Sequence, residues 1–72
     1  MLEPAMQKFY NDLTVAPGMN AAKVAVVRGL FEEQELMFVD LANLTNAKLE
    51  KIEVDKLGTR ERILTLLGLP LD

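Results

Sequence analysis

The chain contains no cysteine, histidine, tryptophan or serine. Without Cys there is neither a disulfide framework nor a thiolate metal site. Without His the usual proton carrier near neutral pH and the commonest metal ligand are missing. Without Ser or Cys the two common nucleophiles are gone. Chemistry is left to Thr, Lys, Tyr10 and the carboxylates. Glu50 and Glu53 are three apart and share a helical face, but beside Lys48, Lys51 and Lys56 they read as solvated mixed charge. Glu32, Glu33 and Glu35 offer oxygen ligands, yet the alternating Asp or Asn and the Gly of a calcium loop are missing. Gly18, Gly29, Gly58 and Gly68 are isolated, so no phosphate-cradling loop is present. The sequence predicts no catalysis, no cofactor and no metal.

Long hydrophobic runs are also missing. The longest uncharged stretch, Leu13 to Ala22, is ten residues and contains Pro17-Gly18. Spanning a bilayer takes roughly 18–20 residues. The start of the chain has no basic segment followed by an apolar one, as a secretory signal would require. Absence of Cys fits a reducing compartment. The expectation is a cytoplasmic protein without membrane contact. Base is scarcer than acid: eight against eleven, for a net charge of −3. An acidic surface weakly repels nucleic acid and anionic lipid.

Apolar side chains are abundant, at 50% of 72 residues. Such a composition folds rather than staying disordered. A chain of this size buries only roughly 60% of its unfolded surface, and its core supplies only about 3–5 kcal/mol. With disulfides and metals excluded, the remaining supplement is another protein molecule.

Spacing places helices. Leu2, Met6, Phe9 and Leu13 form one face, predicting a helix over 2–13 with Pro4 near its start. A loop over 14–19 follows, marked by Pro17-Gly18. Asn20 reads as an N-cap. Behind it Val24, Val27, Leu30 and Phe31 share a face, and Ala25 and Val26 make that helix apolar almost all round, so it expects neighbours on most sides. Gly29 is expected to mark a bend or a close approach. Glu32, Glu33 and Glu35 suit the first turn of a new helix. The block "LMFVDLANL" reads as the most deeply buried. Asn43 offers a left-handed stop, and Thr45 a cap. Leu49 and Ile52, with Val54 or Leu57, give the next apolar face. "IEVD" alternates like a strand but is read as helix. Gly58 ends one helix and Thr59 caps the last, whose face is Ile63, Leu64, Leu66 and Leu67. Gly68, Leu69 and Pro70 close it. A single helix over 20–57 is the rival; at 1.5 Å per residue it would be about 57 Å long. The preferred reading is one all-α domain over 1–72, a small bundle of four to five short helices that dimerises.

Within it, Phe38, Val39 and Ala42, a turn at Asn43 and Leu44, then Leu49 and Ile52 match a helix-turn-helix pair at about 35–55. The stretch resembles the repressor-type helix-turn-helix superfamily. Val39 and Asn43 stand where that superfamily often has a small residue and a Gly. The resemblance implies a transcription regulator touching DNA through Thr45, Asn46, Lys48 and Lys51, with Arg60 and Arg62 as helpers. Against it, DNA affinity rests on Lys and Arg, and Glu50, Glu53 and Asp55 crowd the reading helix.

The favoured expectation is a non-enzymatic regulator or inhibitor that binds another protein through an apolar helical surface with acidic surroundings. Aromatics and Met suit interface centres. Candidate contacts are Met6, Phe9, Tyr10 and Leu13, with Glu32 and Glu33 meeting a basic target. Phe31 and Phe38 are read as core.

Overall fold

In the computed structural model, residues 3–71 are described, and the expected contribution of Leu2 lies outside them. Five helices follow in order: α1 (Pro4–Thr14), α2 (Ala21–Glu33), α3 (Phe38–Leu41), α4 (Asn46–Lys51) and α5 (Leu57–Leu67). No strand occurs among the described residues, so "IEVD" is not one. The rival single helix over 20–57 is excluded by breaks at 34–37, 42–45 and 52–56.

α1 begins with Pro4 in its first turn, where the missing N–H costs nothing. Its face of Met6, Phe9, Tyr10 and Leu13 is wholly buried. The Asn20 side chain accepts from the Lys23 N–H and starts α2 as expected. Val24, Val27 and Phe31 are buried on α2, whereas Val26 stays 63% exposed, so this helix is covered on one side only. Gly29 lies inside the continuous helix and admits no close neighbour: a Cβ there would meet nothing within 4 Å. The acidic run closes α2 instead of opening a new helix.

Three helices end in the same way. At α5, Gly68 is left-handed (φ 72°), its N–H donates to the Thr65 carbonyl, and the Leu69 N–H donates to Leu64. This double bond is the Schellman pattern, which returns the next apolar residue to the helix. The same pair of bonds forms at α2, from Glu35 to Glu32 and Leu36 to Phe31, and at α4, from Glu53 to Glu50 and Val54 to Leu49. There the left-handed position is held by Glu35 (φ 55°) and Glu53 (φ 75°), not by glycine. The expected left-handed Asn43 is not among the positive-φ residues. In each case the residue that accepts the long bond, Phe31, Leu49 or Leu64, is fully buried.

Thr45 caps α4 as expected, accepting from the Lys48 N–H at 3.1 Å. The start of α5 differs from expectation. Lys56 is its N-cap and Gly58 lies inside the first turn, so the Gly58-Thr59 boundary does not exist. The loop over 15–20 is tied to α5 by Arg62, which donates to the carbonyls of Pro17 and Gly58. Gly18 fits beneath that guanidinium with φ 81°; a Cβ would lie 2.6 Å from Arg62 Nη2.

One apolar cluster draws on all five helices, with Leu13, Phe31, Leu41, Leu49, Ile63 and Leu64 at its centre. α1 packs on α2 and α5, and α4 packs on α5. Phe9 and Phe31 stack with centroids 6.3 Å apart, and Tyr10 lies 5.6 Å from Phe9. The radius of gyration, 10.9 Å, matches the roughly 11 Å of a compact chain of this length. The "LMFVDLANL" block is the main correction to expected burial. Only Leu41 and Leu44 are buried within it; Met37, Phe38, Val39 and Ala42 face outward.

Candidate functional site

The predicted contact residues part into two groups. Met6, Phe9, Tyr10 and Leu13 are 0–4% exposed and belong to the core. In this fold no partner can reach them. They were legible as an apolar helix face, but spacing alone cannot say whether a face meets its own chain or another. Glu32 and Glu33 are exposed, and Glu32 pairs with Arg28 at 3.0 Å.

The sequence reading missed the surface that is available. Met37, Phe38 and Val39 are consecutive and 56%, 40% and 73% exposed. They sit at the entry of α3, a single turn held by one local bond and one long-range bond. The Asp40 carboxylate accepts from the Met37 N–H at 2.8 Å, and the Glu3 carboxylate accepts from the Phe38 N–H at 3.3 Å. Below them Leu41 is fully buried. The signal was present in the sequence: Asp40 sits three residues past Met37, where a carboxylate can return to an N-cap amide. That places 37–39 at a helix start, where side chains need not point inward.

Along the sequence the charge on either side of this turn is one-sided, although in space the Lys48 ammonium reaches the Asn43 carbonyl just past α3. Between Gly29 and Ala47 the acids are Glu32, Glu33, Glu35 and Asp40, and there is no Lys or Arg. Glu33 and Glu35 are exposed and make no ion pair among the described residues.

A second feature is an open groove of about 570 Å³ between α2 and the segment entering α5. Met19, Val26, Val27, Leu30 and Val54 line its apolar part. Its charges are mixed: Lys23, Lys56 and Arg62 against Glu53 and Asp55. Lys23 and Arg62 are already spent on the carbonyls of Gly18 and of Pro17 and Gly58.

The candidate DNA-contact residues are largely occupied within the fold. Thr45 caps α4. Asn46 Oδ1 accepts from Arg60 Nε at 2.6 Å, and Lys48 Nζ donates to the Asn43 carbonyl at 3.0 Å. Lys51 is exposed. Arg60, a presumed phosphate helper, is 7% exposed. It donates to the Val54 carbonyl at 2.7 Å and lies 3.9 Å from Glu50. The packing of the pair also departs from the sequence match, since Phe38, Val39 and Ala42 are exposed.

The titration of Tyr10 is perturbed. Burial raises its pKa above the ordinary 10.0, Glu32 raises it further, and Arg28 opposes. The Arg28 guanidinium lies 5.8 Å from the ring centroid. The Tyr10 hydroxyl is buried and, among the described residues, has no hydrogen-bond partner. No group of three or more acidic, His or Cys residues placed to hold a metal occurs among the described residues. No described helix is long and apolar enough to cross a membrane.

Compared with protein-family models, curated proteins and solved structures, the chain matches none at a significant level.

Proposed function

We propose that this chain is a small non-enzymatic regulator or inhibitor that acts by gripping another protein. One observation carries the reading: three consecutive apolar side chains, Met37, Phe38 and Val39, are displayed on a turn fixed by two carboxylates and anchored by Leu41. Soluble chains seldom spend large apolar side chains on water in adjacent positions, and such patches mark interaction surfaces. Fixing them in advance lowers the ordering cost of binding.

DNA contact has less support. Its phosphate contacts would fall to few free cations on an acidic chain, and α4 has only six residues. Self-association is the secondary proposal. It draws on Val15, 81% exposed, and on a shallow cleft lined by Ala16, Pro17 and Leu66.

The test is affinity capture with the wild-type chain and with a Phe38→Ser/Val39→Ser variant. One stoichiometric protein held by the first and lost by the second supports the reading. Sequence-specific DNA binding that falls steeply with salt and depends on Lys51 overturns it. Sedimentation velocity across concentration decides the dimer.

A further inference from the structure

Resting on that protein-contact reading, we infer that the Met37–Val39 surface takes a basic amphipathic segment of a different protein, and not a second copy of this chain. The apolar centre supplies the attraction common to any interface. Charge selects the occupant. Glu33 and Glu35, exposed and unpaired among the described residues, flank the turn in sequence, together with Asp40. In sequence no base lies between Arg28 and Lys48, and Arg28 is engaged by Glu32. A symmetric dimer through this face would bring two such acid sets together, and like charges across an interface cost affinity. A segment with Leu or Phe on one side and Lys or Arg at its edges satisfies both features. Glu3 and Asp40 also accept backbone N–H groups of the turn, so they brace the surface while adding to its negative field.

The groove between α2 and the entry to α5 differs on this point. Both signs of charge line it, and two of its cations are bonded to carbonyls. It selects no class of partner.

The experiment is an NMR titration of the labelled whole chain with two synthetic helical peptides, one of leucine and lysine and one of leucine and glutamate. The leucine–lysine peptide is expected to bind saturably, to shift amides of 33–42 first, and to weaken as salt rises. In Phe38→Ser/Val39→Ser its affinity should fall about tenfold or more. In Glu33→Gln/Glu35→Asn it should fall about threefold, since Asn tolerates the left-handed backbone at 35. If the double serine variant loses its dispersed spectrum, Val39→Lys, at the most exposed of the three positions, serves instead. The inference is overturned by no saturable binding of the leucine–lysine peptide, by equal binding of the leucine–glutamate peptide, or by affinity unchanged in the apolar variants. Shifts centred on the α2 groove overturn it as well. Any of these leaves the protein-contact reading standing if affinity capture still yields a target; an empty capture, or the salt-sensitive specific DNA binding named above, removes that reading as well.

Discussion

The phenol of Tyr10 is shut into the aromatic cluster of Phe9 and Phe31, its oxygen without a partner among the described residues. An unsatisfied buried hydroxyl costs about 1–3 kcal/mol. Tyr10→Phe keeps the ring and removes that oxygen, so urea unfolding at neutral pH should show a gain of about 1 kcal/mol. The raised pKa adds a pH signature. The folded value lies above the unfolded 10.0, so the contribution of the neutral phenol is complete below about pH 10. It is lost as pH rises through the folded value, because the unfolded chain releases its proton first. The difference between wild type and Tyr10→Phe should therefore widen above pH 10. A difference that stays constant there would refute the burial argument.

Helix ends carry the next scale of information. α5 closes on Gly68 at no steric penalty, whereas α2 and α4 close on Glu35 and Glu53 in the left-handed region. A side chain in that region costs about 1–2 kcal/mol. Glu53→Gly should stabilise the chain by about 0.5–1 kcal/mol, the gain being reduced by the greater freedom of glycine when unfolded. The shift of the thermal midpoint measures it; a fall would mean that the Glu53 side chain makes a contribution its backbone does not reveal. The sequence marked Gly68 because glycine advertises its conformation. It could not mark Glu35 and Glu53, since nothing in a glutamate announces a positive φ. The tell was indirect: Phe31 and Leu36, Leu49 and Val54, and Leu64 and Leu69 are each apolar pairs five apart, the spacing that the long Schellman bond brings together. Once those stops are seen, 37–39 falls at a helix entry, and its exposure follows.

At the scale of the molecule, Arg60 adds polar ties between α4, the link after it and α5, which also meet through the core. Its guanidinium bonds Asn46 at the head of α4 and the Val54 carbonyl in the link to α5. The Glu50 contact, to a side chain 71% exposed, is of the solvent-screened kind that adds little. Arg60→Met keeps much of the aliphatic packing and loses both bonds to a charged donor, each worth roughly 1.5–3 kcal/mol. Against a total of about 3–5 kcal/mol for so small a core, that variant should be near its unfolding midpoint without denaturant. Arg60→Lys should recover only part, because one ammonium does not reproduce the planar fork. Circular dichroism in a urea series checks both. A fully folded Arg60→Met would show that α4 and α5 are held by Leu49, Ile63 and Leu64 alone.

By itself the sequence determined the helical class, the caps at Asn20 and Thr45, the stop at Gly68 and the apolar face of α1. Each of these depends on residues within about one turn of one another, where periodicity and side-chain chemistry act directly. Only the tertiary structure decided which apolar side chains the fold hides. Met6, Phe9, Tyr10 and Leu13 went inward because α2 and α5 cover them, and Met37, Phe38 and Val39 stayed exposed because, among the described residues, no helix packs closely over the entry to α3. Burial is a property of the neighbours a side chain meets in space, and a one-dimensional pattern records only that it is apolar.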